Sequence, residues 1–196
     1  MKRVVTEKLE SHVGQKVRVQ GWVETVRDQK SIQFLILRDN TGTVQTVSMR
    51  NTENENVNQM ISNLHLESAV EIQGMVHRNS ISKTNGLEIV IDTLTVLSKA
   101  GPILPIDMSG LKESRLDKRL NWRYLDLRSR KKQLILNVQT TLEMAMREFW
   151  IKHGFIEIHS PKLMGSPSES GAELFAVEYF GQTAYLAQSP QFYNCL

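Results

Sequence analysis

Between Lys16 and Leu97 the chain alternates β-branched or aliphatic residues with polar ones, in five short runs separated by turn residues. This pattern restricts the fold more than any other feature. Lys16–Arg27 (KVRVQGWVETVR) carries Val17, Val19 and Val23 at strand period, with Gly21 placed for a bulge or a bend. Ile32–Arg38 (IQFLILR) is the second run. Asp39-Asn40-Thr41-Gly42 has the chemistry of a tight turn, so Thr43–Met49 (TVQTVSM) returns beside the second run as a hairpin. Glu55–Leu64 breaks the alternation, and its Val57, Met60, Ile61 and Leu64 share one face of a short helix. Strand spacing resumes at Ala69–His77, around Gly74, and at Leu87–Leu97.

Five strands with a helix between the third and fourth follow the order of the OB-fold, a small barrel whose second and third strands commonly present nucleic acid. The pattern alone leaves an OB-fold and other small barrels equally open. Gly101-Pro102-Ile103-Leu104-Pro105 marks a boundary, because two prolines so close fit neither a helix interior nor a central strand. The expected division is therefore 1–100, a linker over 101–128, and a second region over 129–196. Lys112–Lys132 holds nine lysines and arginines against Glu113, Asp117 and Asp126. A solvated, partly helical linker and a contact with RNA phosphates both account for such a run.

Ser129–Gly154 reads as a long helix, with Ile135, Val138, Leu142, Ala145 and Phe149 along one face. Leu134, Met146 and Trp150 widen the stripe, so burial on more than one side is expected. Lys152 and His153 suit the negative end of the helix dipole, and Gly154 suits its termination. Phe155–Ile158 then reads as a strand ended by Ser160-Pro161. A polar loop over 165–171, a hairpin and the tetrapeptide Gln188-Ser189-Pro190-Gln191 follow.

Composition removes several classes. The single cysteine, Cys195, excludes an internal disulfide, and the five histidines lack zinc-ligand spacing. Both fit a reducing, cytoplasmic setting. Apolar runs such as Phe34–Leu37 fall far short of the roughly 18 residues that cross a bilayer, and the N-terminus turns polar too soon for a signal peptide. The net charge of +3 permits an anionic partner without requiring one. No Walker A loop, GxGxxG, HExxH or GxSxG motif is present.

Three stretches together resemble the aspartyl-tRNA synthetases, within the class II subgroup that also holds the lysine and asparagine enzymes. Gly21-Trp22-Val23, Arg27-Asp28, Phe34, Leu37-Arg38-Asp39, Gly42 and Gln45 are similar to that family's anticodon-binding OB-fold. Leu116-Asp117-Lys118-Arg119 and Tyr124–Arg128 resemble the entry to its catalytic domain. Gly154–Ile158 with Ser160–Leu163 resembles class II motif 1, followed by a flipping loop and Tyr185–Gln191. The implied fold class is α+β: a five-stranded OB-fold β-barrel, then the truncated start of a class II antiparallel-sheet catalytic domain.

The resemblance implies roles for particular residues. Phe34 would stack on an anticodon base, although its face, shared with Ile32 and Ile36, reads by pattern alone as a core position. Arg27 and Gln45, expected on neighbouring strands, would hydrogen-bond base edges. Glu169 would accept a hydrogen bond from the substrate ammonium, with Ser189 and Gln191 lining the amino-acid pocket. Pro161 would lie in a homodimer interface. The implied reaction joins aspartate to its tRNA with ATP and Mg²⁺. In this family a lysine usually stands three residues after the second glutamine of the tetrapeptide, where Asn194 stands here. Asparagine lacks the charge that would select aspartate. Motif 2, motif 3, the catalytic arginines and the metal carboxylates find no positions in the sequence. The chain is accordingly expected to be the N-terminal part of a synthetase, cut near Asn194, with no catalytic or metal-binding residue of its own and no adenylate formation alone. A non-catalytic RNA-binding OB protein and a lysine- or asparagine-type synthetase are the alternatives.

Overall fold

The computed structural model describes residues 2–82, 84–108, 112–166 and 174–187. Chain contacts divide it into two compact units, 1–135 and 136–196, with the division inside a helix.

The first unit is built on strands β1 (Lys16–Asp28), β2 (Ile32–Arg38), β3 (Thr43–Met49), β4 (Ala69–Arg78) and β5 (Leu87–Ser98), which close in the order β1-β2-β3-β5-β4. All neighbours are antiparallel except β3 and β5. Closure gives every strand a neighbour on both sides, with β3 and β5 meeting over three pairs (Gln45–Val47 with Glu88–Val90), and so removes much of the exposed ladder that an open sheet would present. Alternation sends Val19, Leu35, Leu37, Ile72 and Ile89 inward to complete burial. Strand β1 serves two partners: Lys16–Trp22 pairs with β4, and Trp22–Asp28 pairs with β2, with a register shift between Val23 and Thr25. Gly21 lies at that crossover. A Cβ there would stand 2.3 Å from the Arg38 carbonyl oxygen, so only glycine permits the approach.

Helix α1 (Glu55–Ser62) packs on the barrel through Val57, Asn58 and Ile61. The expected face differs in one position: Met60 is exposed and Asn58 is buried instead. The reason is polar. Asn58 Nδ2 donates to the Met49 carbonyl at 3.0 Å, which turns that side of the helix inward. A 3₁₀ helix over Thr6–His12, without a strong sequence signal, is tied to the β2–β3 turn by Asp39. The Asp39 carboxylate accepts from Thr6 N (2.8 Å), Thr6 Oγ1 (2.7 Å), Thr41 N (2.8 Å) and Gly42 N (3.0 Å). Burial pushes its pKa up, but these hydrogen bonds outweigh burial and hold it below its ordinary value.

After the barrel, short helices α2 (Leu116–Asn121) and α3 (Arg123–Asp126) lead to α4 (Arg130–Lys152). A buried carboxylate fastens this connector. Glu67, at φ 65°, accepts from Arg38 Nη2 at 2.5 Å and from Arg128 Nη1 at 3.0 Å, while the Arg128 guanidinium lies 4.5 Å from the Trp22 ring centroid. Arg119 bridges Asp126 and Glu113.

The second unit departs from two expectations. Helix α4 has no buried residue, whereas its broad apolar stripe predicts burial on more than one side. Periodicity marks the face to be covered, and among the described residues nothing covers it. Residues 155–160 lie in no ladder, because no described strand pairs with them. The helix end follows its local code. Gly154, at φ 84°, lets its own N–H reach the Ile151 carbonyl (3.1 Å) and the Phe155 N–H reach the Trp150 carbonyl (3.1 Å), and the Trp150 and Phe155 rings pack at 4.8 Å. Strands β6 (Leu163–Met164), β7 (Ala176–Tyr179) and β8 (Gln182–Leu186) form a small antiparallel sheet in the order β6-β8-β7. Phe180 and Gly181, both at positive φ, make the two-residue hairpin turn.

Candidate nucleic-acid interface

The outer face of the barrel follows from the same alternation that fills the core. In β2, Gln33, Leu35 and Leu37 are buried, so Ile32, Phe34 and Ile36 face outward and are half-buried. Phe34 therefore stands outside the core cluster, on the barrel surface. Antiparallel register places Arg27 directly opposite Phe34 on β1 and Val47 opposite it on β3. One rung along, Thr25, Ile36, Gln45 and Glu88 form a second row across four strands. Arg27 and Gln45 flank β2 from either side instead of occupying neighbouring strands, because β2 is the shared partner of β1 and β3. The three residues nonetheless fall on adjacent rungs of one face.

Each polar group on this face has a defined state. Arg27 is exposed and has no hydrogen-bonding or ion-pair partner among the described residues. The neighbouring positive charge at Arg50 is cancelled by Asp28, whose two oxygens meet Arg50 Nη2 at 2.5 and 2.6 Å. That arginine holds the Asp28 carboxyl below its ordinary range. Gln45 Nε2 donates to Glu88 Oε2 at 2.5 Å, and Asn79 Nδ2 donates to the same oxygen at 3.2 Å. Glu88 thus fixes the Gln45 amide with its nitrogen engaged and its oxygen left as an acceptor. A half-buried ring on the outer face, an unpaired guanidinium and an oriented carboxamide can take an unstacked base by its face and its edge.

Glu88 escaped the sequence reading. Alternation in Leu87–Ile91 places it outward, but the parallel pairing of β3 with β5, which brings it to Gln45, is legible only once the barrel order is known. Pro161 is exposed, just ahead of β6. Glu169, Ser189, Gln191 and Asn194 lie outside the described residues. Among the described residues no group of three or more His, Cys, Asp or Glu side chains is arranged to hold a metal ion, so these residues offer Mg²⁺ no built site. No described helix is long and apolar enough to cross a membrane.

Comparison with known proteins matches two regions of the chain separately. Residues 17–97 match the OB-fold nucleic acid binding domain, and residues 115–196 match the class II tRNA synthetases (D, K and N). The aspartate–tRNA(Asp) ligase of Pyrococcus abyssi is 39% identical over 190 residues, spanning 97% of this chain and 42% of that protein. The aspartate–tRNA(Asp/Asn) ligase of Methanopyrus kandleri is 41% identical over 181 residues, spanning 92% and 42%. The asparaginyl-tRNA synthetase of Pyrococcus horikoshii, solved with asparaginyl-adenylate, superposes with a TM-score of 0.87 at 33% identity, over 98% of this chain and 44% of that one. The chain spans about two-fifths of the length of the relatives it matches. Residues 115–196 thus belong with the class II tRNA synthetases of the D, K and N group, and residues 17–97 with the OB-fold nucleic acid binding domains.

Proposed function

We propose that this chain supplies the anticodon-reading part and the beginning of the catalytic part of an aspartate–tRNA ligase. The observation that carries the reading is the outer-face arrangement of Arg27, Phe34 and Gln45, with Glu88 orienting Gln45. Residues 1–100 act as the RNA-reading domain, 101–128 as the connector, and 129–196 as the first portion of the synthetase domain. Phe34 stacks on an anticodon base, while Arg27 donates to and Gln45 accepts from the edges of its neighbours. The ring adds sequence-tolerant affinity, and the edge contacts add discrimination.

Within the parent enzyme, Glu169, Ser189 and Gln191 take the amino acid, and Pro161 belongs to a two-fold subunit interface. The partners are tRNA, aspartate and ATP, the setting is the cytoplasm, and the cofactors ATP and Mg²⁺ are held by residues other than those described. When bound, ATP would supply the phosphoanhydride whose cleavage, with pyrophosphate leaving, activates the amino-acid carboxylate for transfer to tRNA. The described residues bind and orient the RNA.

The test is equilibrium binding of the chain to an aspartate tRNA and to the same tRNA with a swapped anticodon. Phe34→Ala is expected to weaken binding about tenfold or more, equivalent to roughly 1–3 kcal/mol of stacking. Equal affinity for both tRNAs, unaffected by Phe34→Ala, would sink the proposal. Two observations favour a second reading, the asparagine-type enzyme: Asn194 in place of a lysine, and the superposition on an asparaginyl-tRNA synthetase. Preferential binding of an asparagine tRNA would select it.

A further inference from the structure

One edge of the proposed RNA face is occupied by a cation that the base-reading residues do not use. Arg130, the first residue of α4, donates from Nη2 to Thr43 Oγ1 at 3.0 Å. Thr43 lies on β3 two residues before Gln45 and opposite Arg38, hence on the same outer face. The threonine hydroxyl is neutral, and Arg130 is exposed with no carboxylate partner among the described residues. Most of its five N–H donors therefore remain available. Arg119, Arg128 and Arg50, by contrast, each have a carboxylate.

The location of this charge is unfavourable for the helix. Arg130-Lys131-Lys132 opens α4 with no acidic residue in the first turn, although the start of a helix favours negative charge. Such a run weakens the helix and suits an anionic partner outside it. Nor is the placement of Arg130 left to a loose tether. Two residues earlier, Arg128 is held by the buried Glu67 carboxylate and lies over Trp22. Glu67 adopts φ 65°, where glycine would fit the backbone more easily, so the position is explained by the carboxylate that also receives Arg38.

We propose that Arg130 contacts a phosphate of the RNA lying across Phe34 and Gln45, and that Glu67 is the positioning residue that sets it there through Arg128. The inference rests on the reading of the barrel as an RNA binder. From the Phe34 rung to the Thr43–Arg38 rung is four residues, about 13 Å at the rise of a strand, so Arg27 and Arg130 stand at opposite ends of the reading face. A strand of RNA crossing it meets a cation on entry and on exit.

The test uses the full chain and a synthetic RNA stem-loop carrying the aspartate anticodon, with affinity measured across a range of salt concentrations. Arg130→Gln should flatten the dependence of log K on log[salt] by about 0.7, the value of one single-strand phosphate contact, and leave discrimination against a swapped anticodon unchanged. Glu67→Gln should flatten it in the same direction although Arg130 is still present. Arg128→Gln, which leaves Glu67 paired with Arg38, is the second variant and should do likewise. Phe34→Ala should lower affinity without changing the slope. A full slope in Arg130→Gln, with wild type and Phe34→Ala behaving as expected, overturns the phosphate contact alone. A reduced slope in Arg130→Gln but not in Glu67→Gln and Arg128→Gln overturns the positioning role. Loss of anticodon preference in the wild type itself overturns the underlying reading.

Discussion

The barrel and helix α4 announce themselves in sequence by the same kind of signal, a periodic apolar face, and they end in opposite states. In the barrel, Val19, Leu35, Ile72 and Ile89 are fully buried, and each strand finds partners on both sides. In α4, Ile135, Val138, Leu142 and Phe149 are all more than half exposed. A closed sheet covers its own face, because its curvature brings the inward side chains of all strands together. A single helix has no such recourse and needs another element. Periodicity therefore states which side is to be covered, and only topology states whether the same chain covers it.

The most severe test of that contrast compares truncations on the two faces. Ile72→Ala removes a fully buried side chain from the barrel core, and about 2–5 kcal/mol of stability should be lost in denaturant unfolding. Leu142→Ala removes a side chain of similar size from the exposed stripe of α4, and the change should stay within about 0.5 kcal/mol. Comparable losses at the two positions would show that α4 is covered in solution, and the contrast would fail.

A smaller effect sharpens the barrel side of the comparison. The Asp39 carboxylate accepts from five protein donors, two on the 3₁₀ helix and three in the β2–β3 turn, so Asp39→Ala should cost about 1–3 kcal/mol by stranding Thr6 and Thr41 donors in a buried site. The pH dependence has a definite sign. The folded pKa is depressed below the ordinary value near 3.8, so the contribution is fully present above that value and is lost as pH falls through the lower folded pKa. Acid unfolding of the wild type should steepen below about pH 4, and Asp39→Ala should flatten that limb. An identical acid limb in both would remove Asp39 from the account.

The five strands, their turn and α1 were legible because each depends on local spacing and on core-facing alternation, which the closed barrel satisfies. Asp39-Asn40-Thr41-Gly42 forms the expected turn, and Gly154 ends α4 at the expected place, since both depend on neighbours within a few residues. Phe34 is the instructive case. Alternation correctly groups it with Ile32 and Ile36, but no local rule says which of the two groups in IQFLILR turns inward. The other group does, burying Gln33 together with Leu35 and Leu37. Glu67 and Glu88 were illegible for a related reason: their partners Arg128 and Gln45 are 61 and 43 residues away, and only the assembled barrel brings them together. The strand expected at Phe155–Ile158 fails on the same principle, for a strand is defined by a neighbour that local sequence does not name.

The smallest expected effect lies on the exposed side of the contrast. Arg147 Nε, on α4, donates to both carboxylate oxygens of Glu157 at 3.1 and 3.0 Å, across the turn closed by Gly154. That guanidinium holds the Glu157 carboxyl below its ordinary value of 4.5, and the pair's contribution is accordingly present at neutral pH and lost as pH falls through the lowered pKa. Both side chains are close to half exposed, so water and salt screen the attraction and ordering two side chains offsets it. Glu157→Gln should leave the thermal midpoint unchanged within error. Carboxyl titration by NMR gives the finer reading. The Glu157 pKa should lie below 4.5 at low salt and return toward it near 1 M salt, where the screening length shrinks to about 3 Å. A depression that survives that salt would mean the pair is enclosed rather than solvated. The apolar groove it borders, lined by Met146, Trp150, Ile151 and Phe155, would then be covered as the barrel core is, and the two regions would differ in degree alone.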